Sequence, residues 1–285
     1  MSASLKFLVL SAIQEVHPTR LQGGWRKIGD YSVNFEDQIS YGRFSKVYSG
    51  TNSRGEKVAV KVLPKREIMS RTRKRDLERE IQNLRALKGE PHIVNLLEVY
   101  DSHTHYYFIF ERLGRDLLDV IEKRKFLTEE SAKPIVRDVA LGIQSVHSKG
   151  MVHRDIKAEN ILTGSKTKIC DFEFSQSLPL KGYIFRSCGS LWCIPPEMIK
   201  KKGYREEVDI WSFGCLVFRM LTGIPPFSGP DNRLKALGKR ILENNRRPIP
   251  ENLSSDAKDF LEALLQWEPD KRPTIQEVLN HPWLG

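Results

Sequence analysis

Cysteine is scarce in this 285-residue chain. The four present (Cys170, Cys188, Cys193 and Cys215) form neither a CxxC pair nor a cysteine–histidine set at zinc spacing. A disulfide scaffold and a zinc-built fold are thereby excluded, and reduced thiols in an intracellular setting, cytoplasmic or nuclear, are expected. Long apolar runs are missing too. The longest near the start, 7–13, has seven residues interrupted by Ser11 and lacks a clear small-residue cleavage site, so no membrane span is expected. Repeats and low-complexity segments are also absent, which excludes solenoids and disordered tails.

Charge is what the chain has in quantity. The 46 Lys and Arg exceed the 36 Asp and Glu by 10. Such an excess suits an acidic partner, whether nucleotide phosphate, nucleic acid or membrane surface, and selects none of them. Six of the net charges fall within 61–88, where ten basic residues face four acidic ones. No aromatic residue interleaves with the basic run at 65–79 as a single-strand reader would require, which places nucleic acid far behind the other partners.

Residues 1–30 hold no persistent period and read as a leader of uncertain structure. From Tyr31 the pattern changes. Strands are expected at 31–40, 44–51, 57–63, 93–100 and 106–111, with one helix at 71–87 whose Leu77, Ile81, Leu84 and Leu87 share a face. Helices are expected at 116–123, 129–148, 209–221, 233–243, 255–265 and 275–279, around a long irregular stretch at 150–205. Strands followed by helices indicate an α+β architecture in two parts, 31–112 and 113–284.

The chemistry concentrates in a few residues. Lys61 lies on the strand Val58-Ala59-Val60-Lys61, and Glu80 lies nineteen residues on, upon the expected helix. Together they can hold an ammonium toward a phosphate, although each alone would read as an ordinary surface charge. The decisive run is His153-Arg154-Asp155-Ile156-Lys157-Ala158-Glu159-Asn160, with Asp171-Phe172 eleven residues beyond it. Phosphoryl transfer needs a positioned hydroxyl, a cation on the moving group and divalent metal across the phosphates. Asp155 can take the hydroxyl proton, Lys157 can neutralise the γ-phosphate, and Asn160 and Asp171 can give Mg²⁺ hard oxygen ligands.

These motifs resemble those of the eukaryotic protein kinase family over nearly all of 31–284. Val58–Lys61 is similar to its third-strand lysine motif, Glu80 to the helical partner, and 153–160 to the catalytic loop. Asp171-Phe172 is similar to the metal motif, Pro195-Pro196-Glu197 to the end of the activation segment, and 209–214 and 271–274 to helical anchors. The resemblance implies a bilobal protein-kinase-like fold, with a small β-rich lobe and a larger helical one, and ATP and Mg²⁺ as cofactors. It also implies a buried structural ion pair between Glu197 and Arg272.

It further implies that Ile39, Ser40, Tyr41, Gly42, Arg43, Phe44, Ser45, Val47, Ala59, Lys61, Glu80, Glu111, Leu113 and Leu162 bind ATP, with Phe110 at the gatekeeper position. Lys157 and Ser190 match the serine/threonine-directed pattern, and 222–227 and 281–283 are similar to the calmodulin-dependent kinase group. Asp116 and Glu159 stand where basophilic relatives bind an arginine three residues before the acceptor. Protein substrates with basic residues before the acceptor, and a monomeric enzyme, are therefore expected. Where many relatives carry an activating phosphothreonine this chain has Arg186. An anion to relieve the repulsion between Arg186 and Arg154 is then expected from a phosphate on Ser187 or from a carboxylate elsewhere in the chain, the alternative being a shifted loop in which Arg186 simply faces solvent.

Two departures favour an alternative, a pseudokinase acting as a nucleotide-binding scaffold. The phosphate-covering loop Ser40-Tyr41-Gly42-Arg43-Phe44-Ser45 keeps only the middle glycine of the family pattern, and Glu173 stands where the metal motif has glycine. The charge-handling residues Lys61, Glu80, Asp155, Lys157, Asn160 and Asp171 are intact, which ranks the active enzyme first.

Overall fold

The structure, a computed structural model, describes residues 13–42, 44–231 and 233–285, which divide into two units. The first runs to Gly89 and resumes over Val94–Leu113. Its strands are β1 (Gln14–Glu15), β2 (Thr19–Arg20), β3 (Trp25–Ile28), β4 (Tyr31–Tyr41), β5 (Lys46–Thr51), β6 (Lys57–Pro64), β7 (Leu96–Asp101) and β8 (His105–Glu111). Helix α1 (Arg71–Ala86) lies between β6 and β7. The spatial order is β1-β7-β8-β6-β5-β4-β3-β2, with β1 parallel to β7 and the other pairs antiparallel.

That order forces the sheet to curl. The edge strands β1 and β2 are joined by three residues, Val16 to Pro18, which reach about 14 Å when extended. Laid flat, eight strands would separate those edges by about 34 Å. The sheet therefore bends round until its edges nearly meet, and its inner face holds a core of Ile28, Val33, Val58, Val60, Val62, Tyr100, Tyr107 and Ile109. Gly29, in the two-residue turn from β3 to β4, has φ +56° and lies against Tyr100; a Cβ there would sit 2.3 Å from the ring. Only glycine fits. Residues 14–28, read from sequence as leader, thus carry three strands too short to show a period, and Ile28 is fully buried. Most of the apolar run at 7–13 lies outside the described residues.

In β6 the alternation is strict. Val58, Val60 and Val62 enter the core, and Ala59 and Lys61 point to the opposite face. Helix α1 starts where Ser70 Oγ accepts from Arg73 N at 3.2 Å, and it buries Leu77, Glu80, Ile81 and Leu84 on one stripe.

The second unit, Glu90–Ile93 with Gly114–Gly285, is mainly helical. Its helices are α2 (Leu117–Arg124), α3 (Glu129–Ser148), α4 (Pro196–Ile199), α5 (Glu207–Thr222), α6 (Leu234–Leu242), α7 (Ser255–Leu264) and α8 (Ile275–Leu279). Except for the one-turn α4, each lies within two residues of its sequence expectation. Helix α5 is apolar on nearly all sides and almost wholly buried, so it forms the centre of this unit. The stretch at 150–205 contains two-residue strands, β9 (Met151–Val152) paired with β12 (Gln176–Ser177) and β10 (Ile161–Leu162) paired with β11 (Lys168–Ile169). The expected strand at 93–100 begins only at Leu96, because Ile93 bridges Ile169 instead. Among the described residues no helix is long and apolar enough to cross a membrane.

Candidate active site

In the first unit, pairing places the nucleotide-site candidates on one sheet face. Val47 on β5 is opposite Lys61 on β6, which is opposite Phe108 on β8. Ala59 is opposite Phe110, and the rings of Phe108 and Phe110 stack at 6.3 Å. Lys61 Nζ donates to Glu80 Oε1 at 2.8 Å, with both side chains largely buried. The ion pair read from a nineteen-residue spacing is therefore formed.

Ser40 pairs with Val47 beyond a bulge that takes Ile39 out of register. The loop tip closes through Gly42 N donating to Ser45 O at 2.8 Å, while the Arg73 guanidinium covers the Phe44 ring at 4.0 Å. Tyr41 is 81% exposed, and Arg43 lies outside the described residues. Glu111 exchanges bonds with Asn95: Asn95 N donates to its carboxylate at 2.7 Å, and Glu111 N donates to Asn95 O at 3.2 Å. Leu113 closes this unit.

In the second unit, Asp155 is the hub. Its Oδ2 accepts from Lys157 Nζ at 2.8 Å and from Asn160 Nδ2 at 3.0 Å, and its Oδ1 accepts from Ser190 N at 2.8 Å. Lys157 Nζ also donates to Ser190 Oγ at 2.7 Å. Burial alone would lower the Lys157 pKa. The carboxylates of Asp155, Glu159 and Asp171 outweigh it and raise the pKa above the ordinary lysine value, so this ammonium stays charged among three anions. Because Asn160 commits its amide nitrogen to Asp155, its oxygen is the atom left for a cation. Gly189 has φ +88°, and a Cβ there would be 2.4 Å from Arg154 O, so the close approach of Ser190 to Asp155 depends on glycine.

The loop is held from below by Asp209, in the first turn of α5. Its carboxylate accepts from His153 N and Arg154 N, each at 2.8 Å, and from His147 Nε2 at 2.9 Å. His153 Nε2 donates to Cys170 O at 3.1 Å, and the His153 ring meets Phe172 edge-on at 4.7 Å. Arg154 and Asp171 have φ of +70° and +60°, a region costly for residues with side chains. Glu173 is not among the residues of positive φ, so the backbone here does not need the family's glycine.

Around the activation segment, Arg154 is buried and donates to two neutral oxygens, Phe174 O at 2.7 Å and Tyr204 Oη at 2.9 Å. Ser187 is exposed and donates to Met198 O at 2.6 Å. Tyr204, His147 and Asn95 were not singled out from sequence, because long-range polar contacts leave no local pattern. Glu197 and Arg272 form the expected buried pair, bidentate at 2.6 and 2.9 Å. Asp116 caps α2, accepting from Asp119 N at 2.9 Å. Burial is the main cause of its raised pKa, and the nearby Asp119 and Glu159 add to it. Leu162 lies on β10, bridged to Asp116.

Comparison with known proteins agrees with this geometry. The family described as Protein kinase domain matches residues 33–284. The Hormonally up-regulated neu tumor-associated kinase homolog of Xenopus tropicalis is 34% identical over 268 residues, covering 91% of this chain and 38% of that protein. The human Hormonally up-regulated neu tumor-associated kinase is 33% identical over 268 residues, covering 91% and 37%. The Probable serine/threonine-protein kinase MARK-A of Dictyostelium discoideum is 36% identical over 264 residues, covering 90% and 24%. The chain thus spans less than two fifths of the length of these relatives. With a family match across most of its length and the catalytic-loop geometry in place, this chain belongs to the protein kinase domain family.

Proposed function

We propose that this chain is an ATP-dependent protein serine/threonine kinase, similar to the calmodulin-dependent kinase group, that prefers acceptors preceded by arginine. The observation that carries the reading is the Asp155 carboxylate, fixed at once by Lys157, Asn160 and the Ser190 amide. A carboxylate so held can orient an acceptor hydroxyl and take its proton. Lys157, charged and shared between Asp155 and Ser190, is the cation for the transferring group. Lys61, aligned by Glu80, is assigned to the nucleotide phosphates, and Val47 and Ala59 to the adenine.

The oxygen donors fit a hard divalent cation. Asn160 has only its amide oxygen uncommitted, and Asp171 adds a carboxylate within the field of Lys157. Magnesium bound there would neutralise charge on the phosphates. Asp116 and Glu159, close enough that the Glu159 charge acts on Asp116, are assigned to a substrate guanidinium.

The test is transfer of labelled γ-phosphate from Mg·ATP to a mixed peptide set, followed by phosphoamino acid analysis. Label on serine and threonine is expected, strongest in peptides with arginine three residues before the acceptor. Nucleotide binding with no transfer to any peptide would overturn the enzyme reading in favour of a scaffold.

A further inference from the structure

The last turn of α5, the link from α2 to α3 and the chain after α6 enclose a groove of about 330 Å³, a size found among ligand pockets. Phe218 and Leu221 line it from α5 and are buried, whereas Phe126 and Ile224 are 53% and 41% exposed. No loose loop holds these two in water. Leu127 N donates to Met220 O at 2.7 Å, and Gly223, with φ +80°, lies so near Lys125 that a Cβ there would be 2.0 Å from its carbonyl oxygen. Thr222 Oγ1 donates to Ile224 O at 2.9 Å. Pro248 and Pro250 add a wall of fixed φ, tied down where Arg247 N donates to Pro226 O at 2.8 Å. The groove is therefore preformed, and apolar surface gathered on a fixed frame marks a binding face.

We infer that this groove docks an amphipathic helical segment of a substrate protein, whose apolar side chains enter it while a neighbouring Asp or Glu binds Arg247. Charge selects the acid. Arg247 lines the groove and is exposed; its Nε donates to Ser228 O at 3.1 Å and to Ser228 Oγ at 2.9 Å, which orients the guanidinium. Its two Nη groups have no partner among the described residues, and a guanidinium edge binds a carboxylate through paired hydrogen bonds. Arg124 and Lys125, exposed before Phe126, outnumber the carboxylate of Glu251 that follows Pro250. Two half-exposed sides make an open trough, which suits a length of chain better than a small molecule enclosed on most of its surface. None of the lining residues lies in a strand, so strand addition is not the mode of binding, and side chains gathered on one helical face are. The substrate role rests on the kinase reading. Pro225, next to Ile224, lines a small void with Lys157 and Ser190, so a chain held in the groove leads toward the group around Asp155.

The experiment uses fluorescein-labelled helical peptides that carry Leu and Phe one turn apart, or alanine at both places, with Glu, Gln or Lys a further turn away. Anisotropy measures their binding to wild type, to Phe126→Asp combined with Ile224→Asp, and to Arg247→Gln and Arg247→Glu. Wild type should bind the Leu/Phe peptide with Glu roughly tenfold more tightly than its Lys counterpart, and at least roughly tenfold more tightly than the alanine peptide. The double Asp variant should lose this binding. Arg247→Gln should level Glu against Lys, and Arg247→Glu should reverse their order; if the double variant does not fold, the Arg247 variants decide. Joined by a flexible linker to a serine acceptor peptide, the Leu/Phe segment with Glu should lower KM by roughly 10- to 100-fold at unchanged kcat. The acceptor peptide alone should be phosphorylated equally by wild type and every variant. No peptide binding, or binding unchanged in the variants, overturns the inference. So does tight binding of dodecanoate in place of the peptides, or self-association in sedimentation equilibrium that the double variant abolishes, since the occupant would then be a small acid or a second copy. Peptide binding without any effect on KM, while the free acceptor is phosphorylated, overturns the substrate role. Binding in the expected order without transfer to any acceptor would count against the kinase reading and leave the groove's ligand as inferred.

Discussion

Tyr204 joins Arg154 to the activation segment: its hydroxyl accepts from Arg154 Nη1 at 2.9 Å and donates to Arg186 O at 2.5 Å. The tyrosine is fully buried, and burial is the main cause of its raised pKa, so the hydroxyl keeps its proton and the donation to Arg186. A neutral hydroxyl thereby ties the buried guanidinium to the backbone at Arg186.

We expect this hydroxyl to keep Arg154 ordered without phosphorylation. Phosphatase-treated wild type should keep measurable activity. Tyr204→Phe leaves the guanidinium and a carbonyl short of a partner and should cost about 1–3 kcal/mol of stability, with lower activity. Thermal melts and peptide phosphorylation before and after phosphatase check this. Complete loss of activity on dephosphorylation of wild type would refute it.

Lys61→Met should reduce kcat/KM by about 100-fold or more, with ATP affinity reduced. It also leaves Glu80 buried without this lysine, so Tm should fall while the circular dichroism spectrum stays native. A double variant, Lys61→Met with Glu80→Gln, should recover part of the lost Tm and none of the activity.

Glu173→Gly should be at least as active as wild type. The backbone at Glu173 has no positive φ to relieve, so glycine brings no relief of strain there, and its added backbone freedom costs roughly 0.5–1 kcal/mol. Steady-state rates across a Mg²⁺ titration provide the check. A large loss of rate would mean that this carboxylate serves the metal site.

Asp209 governs acid stability. Burial raises the pKa of its carboxyl, but the bond from His147 and the further interactions with His147 and His153 outweigh burial and hold it below the ordinary carboxylate value. A depressed folded-state pKa gives stability that is complete above the unfolded value and lost as pH falls through the folded one. Asp209→Asn should lower stability by about 2–4 kcal/mol near neutrality, with a smaller difference from wild type in strong acid. Urea melts at several pH values measure this. A difference that grew in acid would contradict the sign.

Much of this was legible in sequence for identifiable physical reasons. Alternation in 57–63 and the stripe from Leu77 to Leu87 gave β6 and α1 because each buries one face. Lys61, Glu80, Asp155 and Asn160 stand out because phosphoryl transfer restricts the residue types and their spacing, and the structure brings Lys61 to Glu80 and Asn160 to Asp155. Closure of the sheet was not legible, because β1 and β2 have two residues each and their places depend on partners far along the chain. Tyr204 was missed for a similar reason: its hydroxyl meets Arg154 across fifty residues, and nothing local marks a tyrosine as a partner for a buried guanidinium.

The central claim is that Asp155 positions the acceptor hydroxyl and takes its proton, and Asp155→Asn tests it most directly. Single-turnover transfer from labelled Mg·ATP to a serine peptide should be compared in wild type and variant, with ATP affinity and Tm measured alongside. The account predicts a rate lower by about 1,000-fold, with ATP affinity within a few-fold of wild type. A variant that transfers phosphate within about tenfold of the wild-type rate would contradict it.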